Sequence, residues 1–133
     1  MSDVVLDASA AVRLVLGQHD IPDRAFDVLA NAERVLAPQL FFDEIANAFW
    51  KYIRSASLSE SEAVERLREA SALVSDPVDD RDFAEEALVS ASRYGHPVYD
   101  ALYAVVARRN SCPVLTVDGR LITLLSQMRV DHI

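Results

Sequence analysis

Cysteine is nearly absent: Cys112 stands alone, so no disulfide can form within the chain. The start Met1-Ser2-Asp3-Val4-Val5 lacks the basic stretch of a secretory leader. Both features point to a reducing, cytoplasmic setting. Long apolar runs are missing too. The longest, near Leu36 to Phe42 and Ala101 to Ala107, fall far short of the roughly 18 residues that a membrane span needs, so a soluble protein with no membrane partner is expected. Positive charge is scarce, with 13 Lys and Arg against 21 Asp and Glu and a net charge of -8. That balance argues against a nucleic-acid partner unless several acids hold divalent cations, whose charge inverts the local field. The basic residues are arginines scattered along the chain, apart from the single Lys51. Repeats, low-complexity tracts and linkers are lacking. His19, His96 and His132 show no paired spacing, so neither a histidine metal site nor a serine–histidine triad is indicated.

What is present is the balance of one globular domain: 133 residues, 51% hydrophobic and 26% charged, enough to bury roughly two thirds of the unfolded surface. Val4 to Leu6 reads as a short strand ending in Asp7, and Ala8 to Leu16 as a helix stopped by Gly17. Pro22 to Ala32 reads as a helix, Val35 to Ala37 as a buried strand, and Pro38 to Arg54 as a long helix opened by its proline. Ser59 with Glu62 forms a capping-box pattern for a helix to about Val74, broken at Asp76-Pro77. Pro77-Val78 reads as a brief strand. Arg81 to Arg93 and the strongly apolar Val98 to Arg109 read as helices separated by Gly95-His96-Pro97. Val114 to Val117 reads as a strand, Gly119 to Leu125 as a short helix, and Arg129 to Asp131 as an edge strand. Strands alternating with helices predict an α/β fold: a central, mostly parallel sheet of about five strands covered on both faces.

Four acids stand out. Asp7 and Asp118 each follow a predicted parallel strand, the edge where open α/β sheets bind ligands; each can equally cap the helix that follows it. Asp100 is the only charged residue between Pro97 and Ala107, in a helix whose apolar surroundings demand a compensating partner. The free N–H groups of its own first turn are the alternative. Glu44 falls at the border between the apolar arc of its helix (Phe41, Ile45, Phe49, Tyr52) and the polar face, where it either reaches a cleft or sits in solvent. If the four converge, mutual repulsion raises their pKa values unless a cation binds among them, and all-oxygen sites suit magnesium or manganese. Trp50 lies off the apolar arc of that helix, beside Asp43 and Arg54, as an interface anchor would; packing beneath a neighbouring helix is the other reading.

Several segments resemble the PIN domain, and within it the toxin ribonuclease of VapBC-type toxin–antitoxin pairs. They are Val5-Leu6-Asp7-Ala8-Ser9, Pro38-Gln39-Leu40 with Glu44-Ile45-Ala46-Asn47, Val98-Tyr99-Asp100-Ala101, and Leu115-Thr116-Val117-Asp118, spanning nearly the whole chain in order. The resemblance implies a three-layer α/β/α domain with a five-stranded sheet over residues 1–133. It also implies an acidic cluster of Asp7, Glu44, Asp100 and Asp118, with Asp7, Asp100 and Asp118 as ligands of Mg2+ or Mn2+, Glu44 as ligand or base, and Ser9 and Thr116 as supporting hydroxyls. The implied activity is endonucleolytic hydrolysis of RNA; the implied partners are RNA, a cognate antitoxin protein and a second copy of the chain. Some relatives carry an additional acid in the last motif, whereas here Thr116 and Val117 precede a single Asp118, which leaves one or two metals open. Competing readings are a PIN fold kept as a binding or dimerisation module and a DNA-directed nuclease of the same fold. A receiver-type signalling domain fits poorly, because Asp7 is followed by Ala8-Ser9 and the only lysine lies in a helix.

Overall fold

A computed structural model describes residues 2–18 and 20–133; the readings that involve Met1 and His19 lie outside the described residues. The chain enters at the middle of its own sheet. Strand β1 (Val4–Leu6) is a β-branched apolar run buried on both faces, as a central parallel strand must be. It pairs with β2 (Val35–Pro38) through Val4↔Val35 and Val5↔Leu36, and with β4 (Val114–Leu115) through Val5↔Val114 and Leu6↔Leu115. Outermost is β3 (Asp76–Val78), parallel to β2, giving the order β3-β2-β1-β4. The chain therefore moves out along one side and returns to the other. The point where strand order reverses lies at the carboxyl ends of β1 and β4.

Helices α1 (Ala8–Leu16), α3 (Leu40–Arg54) and α4 (Glu60–Ala72) pack on one another, while α5 (Ala84–Tyr94) and α7 (Gly119–Met128) both pack on α6 (Val98–Arg109). With the sheet between them, these groups make three layers. Helix α6 lies across β2, β1 and β4, and seven of its residues, Ala101 to Ala107, are buried, which explains why its sequence is apolar all round. The short α2 (Ala25–Asn31) completes the helices.

Several boundaries differ from the sequence reading, each for a local reason. The sheet has four strands among the described residues rather than about five, and all are parallel. The predicted edge strand from Arg129 to Asp131 is replaced by a single parallel bridge from Val114 to His132. Helix α7 runs past Leu125 to Met128 because Leu121, Leu124, Leu125 and Met128 form one buried stripe, and Arg129 then turns off in the left-handed region at φ 59°. Strand β4 stops at Leu115 rather than Val117. Pro38 ends β2 instead of opening α3, and α2 begins at Ala25 rather than Pro22. Asp79 accepts a bond from the backbone N–H of Arg81 and turns Asp80–Asp82 into a 3-10 turn, so α5 starts at Ala84. The capping box is formed as predicted: Glu62 N–H donates to Ser59 Oγ at 3.1 Å and Ser59 N–H to Glu62 Oε1 at 2.9 Å.

The long helix α3 is capped from outside. The N–H groups of Gln39 and Leu40 donate to the carboxylate of Asp80 at 2.7 and 3.1 Å, satisfying two of the donors that every helix start leaves free. Asp80→Ala is expected to lower the unfolding free energy by about 1 kcal/mol, read as a shift of the urea midpoint at constant slope. An unchanged midpoint would mean that solvent caps this helix equally well. No helix among the described residues is long and apolar enough to cross a membrane.

Candidate active site

Asp7 is placed by the end of β1. Its backbone N–H donates to Leu115 O at 3.0 Å, the last rung between β1 and β4, and its side chain is turned inward at 6% exposure. It occupies the N-cap position of α1 yet makes no capping hydrogen bond, so the helix-cap reading of this acid does not hold. Its Oδ2 instead accepts from Ser9 Oγ at 2.5 Å and from Thr116 Oγ1 at 2.7 Å. Thr116 Oγ1 in turn accepts from the N–H of Asp118 at 3.0 Å, which is what draws the chain out of β4 after Leu115. The two hydroxyls thus hold the ends of β1 and β4 in one network.

Asp118 does cap its helix: Oδ1 accepts from the Arg120 N–H at 3.0 Å. Asp100 sits in the first turn of α6 with its side chain only 13% exposed. Its Oδ2 is buried and accepts no hydrogen bond; Arg120 Nε stands 3.5 Å away, near enough for attraction and too poorly aligned for a bond. Glu44 projects from α3 at the edge of the apolar face and accepts from Tyr103 Oη of α6 at 2.5 Å.

The four acids share one field. Burial, the largest influence, pushes Glu44 up to about 7, helped by the charges of Asp7, Asp100 and Asp118 and opposed by the Tyr103 bond. Asp7 is also raised, by burial first and by Asp118 beyond that, although the Ser9 and Thr116 hydroxyls pull it down. Asp100 is raised by burial and by Asp118, against Arg120 and His96. Tyr103 is pushed well up, by burial and then by Asp7 and Glu44, so its hydroxyl remains a proton donor. Three carboxyls with raised affinity for protons, and one orphaned buried oxygen, make a site short of positive charge. As they stand, no three described His, Cys, Asp or Glu side chains converge closely enough to hold one ion.

The arrangement thus brings all four sequence-predicted acids to one edge of the sheet, with Ser9 and Thr116 bonded to Asp7. Trp50, by contrast, lies on the outer face of α3, half exposed with the Arg54 guanidinium 4.7 Å above its ring, and is not packed beneath a neighbouring helix. His96 is engaged with Gln127 Oε1 at 3.0 Å. Two contributors escape a reading of the sequence. Tyr103 is signalled only by its place three residues after Asp100, on the same face of α6; Arg120, two residues after Asp118, has no distinguishing pattern.

The family model of the PIN domain matches residues 4–124. The chain belongs to the PIN-domain family. Among curated proteins, this PIN domain is 30% identical over 121 residues to Ribonuclease VapC3 of Pyrobaculum aerophilum, covering 89% of this chain and 91% of that one. Among solved structures, a protein of Pyrobaculum aerophilum superposes at a TM-score of 0.75 with 24% identity, over 92% of this chain and 79% of that one. A DNA-bound VapBC complex from Salmonella typhimurium superposes at 0.68 with 16% identity, over 100% and 98%. A toxin–antitoxin complex from Klebsiella pneumoniae superposes at 0.64 with 15% identity, over 88% of each chain. At these identities the solved structures establish that the PIN fold is shared along almost the whole chain.

Proposed function

We propose that this PIN domain is a divalent-metal-dependent endoribonuclease and the toxin of a toxin–antitoxin pair. The observation that carries this reading is the buried, unbonded Oδ2 of Asp100 within a cluster of four acids at the strand-order reversal. Such a cluster is costly unless a cation enters it. The VapC3 relative supplies the ribonuclease class, and the VapBC and toxin–antitoxin neighbours supply the kind of partner.

Asp7, Asp100 and Asp118 are the residues that would hold Mg2+ or Mn2+, their hard oxygens suiting either ion. A bound ion would supply charge neutralisation at the phosphate and acidify water. Glu44, raised to about 7 and in contact with solvent, is suited to take the proton of the attacking water at neutral pH. Water adds to phosphorus, the bond to the leaving ribose oxygen breaks, and that oxygen leaves with a proton from solvent. Ser9 and Thr116 hold the Asp7 carboxylate in one orientation, and Tyr103 does the same for Glu44. The same reading makes the protein a homodimer, to be checked by light scattering.

Purified protein, free of any antitoxin, is expected to cleave a mixed RNA pool with Mg2+ or Mn2+ and to stop with EDTA. A variant carrying both Asp7→Asn and Asp100→Asn should be inert. A folded wild type that binds metal and leaves RNA intact would turn the reading toward a binding module.

A further inference from the structure

A groove of about 390 Å3 opens beside Glu44, the acid of the cluster that lines it, and runs between α1 and α3. Its walls include Ser9 and Glu44 at one end and Asn47, Lys51, Arg13 and Tyr52 beyond them. Lys51 lies two turns past Glu44 on almost the same line of α3, about 10 Å along the axis. The only lysine of an acidic chain thus stands in line with the site. Arg54 continues the row one turn further, in the next hollow along with Lys51 and Tyr52.

These cations are not spent on carboxylates. Among the described residues neither Lys51 nor Arg54 makes an ion pair, whereas Arg13 is tied to Asp20 at 2.7 Å. Arg54 lies instead over Trp50, an aromatic left half exposed on the outer face of the helix. The dipole at the end of α3 favours a cation there but does not account for the tryptophan. Asp43, at the site end of α3, is the acid on this face besides Glu44. Cations free of carboxylates that lead out of the groove to an exposed indole beside Arg54 are the components of a track for single-stranded nucleic acid, the cations following phosphates and the ring stacking on a base.

We propose that this strip of α3 is the RNA track of the enzyme, with Lys51 and Arg54 holding phosphates to one side of the one cut and Trp50, beside Arg54 on the outer face of the helix, stacking a base. The proposal rests on the ribonuclease reading for its ligand and deepens it by naming where the strand lies. It places the positive charge that the overall composition lacks where a polyanion leaves the acid cluster.

Trp50 is the only tryptophan, so its fluorescence reports on the track alone. The probe is a 5′-labelled single-stranded RNA, titrated into wild-type protein with EDTA so that it is not cut, and followed by both label anisotropy and indole emission. Binding is expected to quench Trp50. Lys51→Ala and Arg54→Ala should each weaken binding about fivefold and flatten the slope of log affinity against log salt by about 0.7. Arg93→Ala, which removes the same charge from the exposed face of α5, should match wild type in both. RNA that binds with silent indole emission, or with affinity and salt slope indifferent to Lys51 and Arg54, overturns the track and leaves the groove to a protein segment. RNA that fails to bind at all overturns it as well. Quenching that depends on Lys51 and Arg54, in a protein that cuts nothing when Mg2+ is restored, upholds the track and overturns the nuclease reading instead.

Discussion

Asp7→Asn is expected to lower RNA cleavage by about a hundredfold to a thousandfold and, at the same time, to make the metal-free protein more stable. The first effect follows from losing a full negative charge where a cation and a phosphate are to meet, an electrostatic contribution of several kcal/mol in comparable sites. The second follows from burial. Asp7 is 6% exposed and its carboxyl is raised by that burial and by Asp118, so its ionised form is a cost to the empty fold. Asparagine keeps an acceptor oxygen for Ser9 and Thr116 and carries no charge. The gain should be about 1 kcal/mol, a rise of roughly 3 °C in Tm at pH 7.5 in EDTA. Cleavage assays on a fixed RNA and thermal melts on the same preparation check both. A variant retaining a tenth of the activity would remove Asp7 from the chemistry. One that melts earlier would mean that the hydroxyl pair requires a charged acceptor.

Added Mg2+ is expected to raise Tm far more at pH 8 than at pH 5. Glu44 goes from an ordinary 4.5 to about 7 on folding. An acid whose pKa is raised by folding binds its proton more tightly in the native state, so it adds no penalty below about 4.5 and a growing one as pH rises to about 7. Asp7 and Asp100 shift in the same direction. In EDTA, then, the contribution of this cluster to stability falls between pH 4.5 and 7. A cation binding the ionised cluster reverses that loss, with a stabilisation of about 2.7 kcal/mol at a hundred times its Kd, or roughly 10 °C for a domain of this size. At pH 5 protons compete for the same oxygens and the shift shrinks. Glu44→Gln should flatten the pH dependence in EDTA. An Mg2+ shift equal at both pH values, or absent at both, would remove the cation from this site.

Much of this was legible in the chain. The apolar run on either side of Asp100, bounded by Pro97 and by Arg108-Arg109, defined α6 to the residue, because Ala101 to Ala107 are all buried and the flanking residues mark its ends. Ser59 with Glu62 announced α4 by a mechanism confined to four residues. The misplaced boundaries were decided by partners distant in sequence. Pro38 was drawn into β2 by pairing with Val78, α3 received its cap from Asp80, and β4 was cut short where the Asp118 N–H turns back to Thr116, whose hydroxyl is itself held by Asp7. The site divides along the same line. Asp7 and Asp118 were recognisable from strand ends and Asp100 from its isolation in an apolar helix, while convergence of the four needed the family resemblance. Tyr103 was hidden because a tyrosine in a buried helix reads as core, and only the fold reveals that its hydroxyl meets Glu44.

The bond between Asp7 and Thr116 joins residues 109 positions apart. During synthesis, a chain that has emerged only as far as α6 already carries Asp7, Glu44 and Asp100, but β1 has no neighbour on its β4 side and Asp7 lacks one of its two hydroxyl partners. The acid edge is completed by β4, the last of the four described strands in chain order. The site is therefore assembled by a long-range closure, late in folding, and not by any of its helices alone.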